Sequence, residues 1–238
     1  MKQTLVTLTI VHSPHSDITP LLLEYLPEEQ IFHVSLLEYL PEEQIFHVSL
    51  LDGLSTTEMS EKYAAQDDEP TVMVHFPDNR QMALSLDKVE QGLQQLIGQL
   101  EARGAENILL LTSAPFTHLQ AHSAVLLEPD RLVPPLVNAM VEGHQVGILV
   151  SNEEPLRQQA RKWRNLSQPA CFAVVSPDHD NEKLLDAGLL LQEQGADVVV
   201  LDSPGYHHRH RDFLQNLLGI PVLLSNVLLA KMAAELLV

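Results

Sequence analysis

Apolar residues fall into two kinds of run along the chain. Short, unbroken runs predict buried strands: LVTLTIV over 5–11, ENILLLT over 106–112, QVGILV over 145–150, CFAVVS over 171–176, ADVVVLD over 196–202 and PVLL over 221–224. Between them, apolar positions recur at helical spacing. The clearest case is LDKVEQGLQQLIGQLEARG (86–104), where Val89, Leu93, Leu96, Ile97 and Leu100 share one face and Gly104 stops the run. Further helices are predicted from Ile18 to Leu26, across 153–164, over 182–195, from near Arg211 and over 226–237. Ser55 opens a short helix, with Glu58 three residues on at capping-box spacing. TVMVHF (71–76), PDNR and QMALS (81–85) predict a hairpin that interrupts the β-α series. Glu128 to Arg131 reads as a turn into a helix, with Pro134 and Pro135 near the helix start, where proline is tolerated.

Continuous apolar strands between helices belong to parallel sheets covered on both faces. The expected fold is α/β, built as two doubly wound, mainly parallel-sheet, Rossmann-like domains with an interdomain cleft. The expected domains are 1–115 with 221–238, and 116–220. Ligands of such sheets sit beyond the carboxyl ends of the strands, which singles out loops 12–17, 112–118, 151–154 and 203–210.

One segment breaks the pattern. Residues 22–35 read LLEYLPEEQIFHVS, and residues 36–49 repeat them without change. Repeat architectures need three or more units of longer period, so this is a local tandem duplication. Each copy reads as a helix end, a proline turn and a short strand, IFHVS. One strand is expected to take the native position, and the other to be accommodated as a helix extension, a loop or an edge. An added surface segment is thermodynamically tolerable, although an exposed apolar edge invites aggregation.

Composition narrows the partners. The 238 residues hold 14 Lys+Arg against 32 Asp+Glu, a formal charge of −18, with 45% hydrophobic residues and a mean hydropathy of −0.00. This is globular composition, and its acidity argues against nucleic acid and anionic membrane surfaces, which need a basic footprint. No apolar run is long enough to span a bilayer. The first residues lack a small-residue cleavage site and read as a strand, so a cytoplasmic protein is expected. Cys171 stands alone, which excludes an internal disulfide and a multi-cysteine zinc site.

The candidate chemistry lies in the strand-end loops. His12, Ser13, Pro14, His15, Ser16 and Asp17 follow the first strand, Thr112 and Ser113 follow ENILLL, and Ser203, Pro204, Gly205 and Tyr206 follow VVVLD. Hydroxyls and free backbone N–H groups at helix starts can hold an anion, although the same residues also serve as plain N-caps. Arg131 could grip a carboxylate in bidentate fashion, or pair locally with Glu128 or Asp130. Neighbouring histidines at 207, 208 and 210 point in different directions, so at most two could share an ion. His118 and His122 would share a face if helical, but LQA between them lacks the metalloprotease glutamate. No metal or cofactor is expected. Trp163 and Cys171 read as packing residues.

TIVHSPHSD (9–17), LLEPDRLVPPLV (126–137), HQVGILV (144–150), RKW (161–163), GADVVVLD (195–202), GYHHRHRD (205–212) and the stretch from Pro221 to Val238 together resemble the AroM family, bacterial proteins similar in fold to the aspartate/glutamate/hydantoin racemases. The resemblance implies a cofactor-independent protein with a cleft for a small carboxylate, either an amino acid or an aromatic-pathway acid. Those racemases often dimerise, so the implied oligomer is a homodimer. They use two cysteines on opposite faces of a carbon acid. Many family members resemble QSPRxD, CTG and DCxGY at three loops, where this sequence has His12, Ser13, Pro14, His15 and Asp17, then Thr112, Ser113 and Ala114, then Asp202, Ser203, Gly205 and Tyr206. Both cysteine positions are thus hydroxyls, Thr112 and Ser203, and an alcohol is a far weaker acid than a thiol. Ligand binding through Ser13, Thr112, Ser113, Arg131, Ser203 and Tyr206 is the first expectation. The alternative is an isomerase or lyase using His15, Asp17 or Asp202 as acid or base. A further alternative is a noncatalytic regulatory or interaction protein whose acidic surface meets a basic partner.

Overall fold

A computed structural model describes residues 5–11, 19–25, 31–33, 45–76, 78, 80–112, 114, 116–151, 156–177, 179–203 and 205–237. The chain divides into two compact units, Met1–Glu128 with Lys231–Val238, and Pro129–Ala230. The first unit holds a parallel sheet in the order β2 (Ile31–His33), β3 (Ile45–Ser49), β1 (Leu5–Thr9), β6 (Asn107–Leu110), β7 (Val125–Leu127). The second holds a parallel sheet in the order β11 (Val222–Leu224), β10 (Val198–Leu201), β8 (Val146–Val150), β9 (Cys171–Val174). Every position of β1, β6, β8 and β10 is buried. That double-sided burial is why these strands carry unbroken apolar runs.

Apart from β2, the two sheets repeat one topology. In each, the first strand of the unit is flanked by the second on one side and the third on the other, giving β3-β1-β6-β7 and β9-β8-β10-β11. The duplicated segment accounts for the extra strand. Its second copy supplies β3 beside β1, and its first copy supplies β2 at the edge, one of the accommodations expected.

The helices α1 (Thr19–Leu23), α2 (Thr56–Tyr63) and α3 (Leu86–Ala102) belong to the first unit. Ser55 and Glu58 form the anticipated capping box at the start of α2, with Ser55 N–H donating to Glu58 Oε2 at 2.8 Å. Capped by Ser85, α3 buries the five residues that its periodicity selects. Gly104 then takes φ +89°, a conformation that costs other residues their Cβ clearance. β4 (Thr71–His75) and β5 (Gln81–Ser85) form the predicted antiparallel hairpin as a separate sheet. Val6, Leu8, Leu93, Ile97 and Ile108 centre this unit's core. Val137, Ile148, Val150, Val200 and Trp163 centre the other.

The second unit adds α4 (Pro129–Met140), α5 (Leu156–Lys162), α6 (Asn181–Glu193), α7 (His208–Leu218) and most of α8 (Ser225–Ala234). Three local expectations need correction. Pro134 and Pro135 sit inside α4, because the helix begins at Pro129. Two ladder bonds are lost there, and Pro134 is buried in return. α7 starts at His208, a turn before the expected Arg211. His118 and His122 lie on an irregular segment, so the shared helical face does not form. Backbone N–H groups of this segment are held instead by α3 side chains: His118 by Glu90 at 2.7 Å, and His122, Ser123 and Ala124 by Glu101 at 2.6, 2.6 and 2.9 Å. Among the described residues no helix is long and apolar enough to cross a membrane.

Candidate functional site

A strand flanked on both sides by later strands marks a topological switch point, where the following loops diverge and leave a crevice. Here those strands are β1 and β8. The loops opening at the first switch point follow β1 and β6, and those at the second follow β8 and β10. Thr112 lies two residues past the end of β6, and Ser203 lies two residues past the end of β10. Sequence-distant hydroxyls thus occupy equivalent places in the two units.

In the second unit a buried charge cluster stands at the end of β10. Asp202, the first residue after β10, accepts a hydrogen bond from Trp163 Nε1 at 2.9 Å. Lys162 Nζ lies 2.9 and 3.1 Å from its two carboxylate oxygens. The same ammonium stands 3.0 Å from Asp130 Oδ1, a charge contact off the hydrogen-bond axis. Lys162 and Asp202 are buried, and so is Trp163. Burial pushes the Asp130 carboxyl above its ordinary range, against the pull of Lys162 and with a push from Asp202. One cation between two carboxylates leaves the cluster net negative. Asp202 is held by Lys162 and Trp163 and Asp130 by its charge contact with Lys162, so the cluster ties α4, α5 and the end of β10 together.

The loop after Asp202 is pinned from several sides. Tyr206 N–H donates to the Ser203 carbonyl at 3.2 Å, closing a turn. A Cβ on Gly205 would come within 2.7 Å of Pro177 Cγ, so the turn packs closely against the segment after β9. Tyr206 is fully buried, and its hydroxyl donates to the Val175 carbonyl at 2.6 Å. Asn226 Nδ2 donates to the Tyr206 carbonyl at 2.7 Å. His210 meets the Tyr206 ring edge-on at 5.6 Å and accepts the His207 N–H at Nδ1. Burial, together with the Arg209 and His208 charges, holds the His207 imidazole below its usual range.

The predicted residues are therefore distributed unevenly. Asp202, Ser203 and Tyr206 share one loop, with Ser203 buried at its head. Arg131 is exposed on α4, next to the Asp130 that meets Lys162. In the first unit Thr112 is half-buried, and its Oγ1 accepts the Ala114 N–H at 3.2 Å. Ser13, His15, Asp17 and Ser113 lie outside the described residues. Cys171 sits at the opposite, amino end of β9, and burial raises its thiol pKa. Among the described residues, no group of three or more His, Cys, Asp or Glu is placed to hold a metal ion.

In the sequence reading Lys162 is not singled out, Asp130 enters only as a local partner of Arg131, and Trp163 is given to packing alone. Two signals could have found them. A buried indole N–H needs an acceptor, and a lysine inside a core needs a counter-charge.

A family model described as AroM protein matches residues 5–237. No curated protein matches the chain. Among solved structures, maleate cis-trans isomerase from Nocardia farcinica superposes with a TM-score of 0.57 at 12% identity, covering 98% of this chain and 92% of that one. A glutamate racemase from Bacillus anthracis gives 0.56 at 10% identity, covering 99% and 81%. Allantoin racemase from Klebsiella pneumoniae gives 0.51 at 14%, covering 98% and 87%. At such identities the likeness is one of fold.

Proposed function

Because the chain belongs to the AroM family, with a racemase-like α/β fold, we propose that it binds a small carboxylate at the switch-point loops, with Thr112 and Ser203 as hydroxyl contacts. The observation that carries this reading is the equivalence of the two residues, each second after the third strand of its unit. Hydroxyls there can donate to a carboxylate oxygen, as the ligands named for two fold neighbours, glutamate and maleate, would require. They do not replace thiols in two-base proton transfer, because an alcohol needs an adjacent base to react.

Asp202 takes a positioning role in this proposal. Held by Lys162 and Trp163, it fixes the head of the Ser203 loop. Arg131 and Ser113 remain proposed contacts. His15 and Asp17, with Ser13, are the proposed acid–base and binding groups of the loop after β1. Tyr206 shapes the second loop from behind.

The experiment is a thermal-shift titration with aspartate, glutamate, maleate and hydroxylated ring acids. A ligand at 100 times its Kd should add about 2.7 kcal/mol of stability. Thr112→Val or Ser203→Ala should weaken that stabilisation by more than the loss of the Thr112–Ala114 bond or of the buried Ser203 hydroxyl lowers the unliganded Tm. No shift with any acid at millimolar concentration, or a shift indifferent to both substitutions, overturns the proposal.

A further inference from the structure

The duplication leaves two equally furnished candidates for the place beside β1. We infer that either copy occupies it, and that the chain exchanges between two strand registers 14 residues apart. This inference is independent of the ligand proposal.

Identity between the copies runs past the 14-residue unit, because Leu36-Leu37 follows the first copy as Leu50-Leu51 follows the second. Among the described residues, the following bonds that hold β3 against β1 lie inside this shared stretch. Leu5 to Thr9 pair with Ile45 to Ser49. Ser49 Oγ donates to the Ile10 carbonyl at 3.0 Å. The N–H groups of Leu50 and Leu51 donate to the Thr9 and Ile10 carbonyls at 2.9 and 3.0 Å. The Thr7 hydroxyl meets His47 Nδ1. Val48 and Leu51 enter the core of the unit. Sliding the chain by one unit offers β1 the residues Ile31 to Leu37, with the same atoms for the same partners.

The connections trade evenly. In the observed register, residues 24–44, with β2 among them, separate α1 from β3, and residues 52–55 separate Leu51 from α2. In the shifted register, residues 24–30 would make the first link and residues 38–55 the second. Each register has one short and one long link, and closure cost grows only with the logarithm of length, so the bias is about twofold toward the observed register. The spare copy also keeps its edge. β2 pairs with β3 so that Ile31, Phe32 and His33 lie beside Ile45, Phe46 and His47, and the same like-with-like pairing survives if the strands change places.

The test uses Val48→Asp, Val34→Asp and the double variant. A 224-residue chain lacking 14 residues, the same product whichever copy is removed (238 − 14 = 224), has a single copy. In that chain Val34→Asp sets the full penalty of a carboxylate at the core position. With exchange, each single variant of the parent retreats to the unmodified copy, so Val48→Asp loses only about threefold in the folding equilibrium and Val34→Asp only about 1.5-fold. The double variant loses as much as the calibrating chain. If Val48→Asp alone suffers the full penalty while Val34→Asp is silent, exchange is overturned. Leu51→Asp and Leu37→Asp repeat the comparison at a second core position, and there too the inference falls if one copy carries the whole loss.

Discussion

Lys162 is the residue on which the second unit's charge cluster turns, and Lys162→Met isolates its contribution. Methionine keeps the length of the side chain and removes the ammonium that stands 2.9 Å from Asp202 and 3.0 Å from Asp130. Two carboxylates then face each other in a buried site without a counter-charge. Removing one partner of a buried pair costs about 3–5 kcal/mol. In a chain of this length each kcal/mol moves Tm by about 2–4 °C, so the expected drop is about 6–20 °C.

The pH dependence gives a second check on the same variant. Asp130 already has a raised pKa. Between its ordinary value and the raised one, the folded state holds a proton that the unfolded state has released, so the ionisation penalty grows as pH rises through that window. Loss of Lys162 removes the opposing pull and moves the upper limit higher. The deficit of Lys162→Met should therefore be smaller at about pH 5 than at about pH 7.5. Asp130→Asn and Asp202→Asn, added together, should recover most of the loss. Trp163 is the chain's one tryptophan and hydrogen-bonds Asp202, so its fluorescence reports unfolding at this site. A variant within about 1 kcal/mol of the parent at both pH values would refute the reasoning, since that is how a solvent-screened surface pair behaves.

Three other outcomes are expected. Glu101 is held down to about 2 by backbone N–H groups of Ala124, Ser123 and His122, so its contribution is full above the ordinary glutamate value and fades as pH falls toward 2; Glu101→Gln should speed amide exchange over 122–124 at neutral pH and change little near pH 2. Tyr206→Phe removes the 2.6 Å bond to the Val175 carbonyl and should cost about 1–3 kcal/mol in urea unfolding, with weaker ligand stabilisation if the loop positions Ser203. Gly147→Ala would place a Cβ 2.9 Å from Ala196 Cβ and 3.1 Å from Leu191 Cβ, an overpacking that should lower stability by about 1–3 kcal/mol; an unchanged denaturation midpoint would show that β8 and α6 separate freely.

Local pattern carried much of the fold. Burial on both faces writes itself into β8 and β10 as unbroken valine, isoleucine and leucine, and burial on one face writes itself into α3 as Val89, Leu93, Ile97 and Leu100. These periods depend only on the spacing of side chains along an element, so the chain by itself determined which segments are strands and helices. β7 was missed because its three residues run almost directly into α4, with no loop to set the strand apart from the turn into that helix. The start of α4 was misplaced because prolines suited to a first turn also survive inside a helix, as buried Pro134 and exposed Pro135 do.

The charge cluster was decided only in three dimensions. Residues 130, 162 and 202 meet because β10 pairs in parallel with β8, which brings the segment after β10 beside the elements around β8. Strand order is set by long-range pairing and leaves no trace in local spacing. The same reason governs Thr112 and Ser203. Each was legible as a hydroxyl after a strand, and the family resemblance paired them, but their matching places after the third strand of each unit appear only when two sheets of like order are laid out strand by strand.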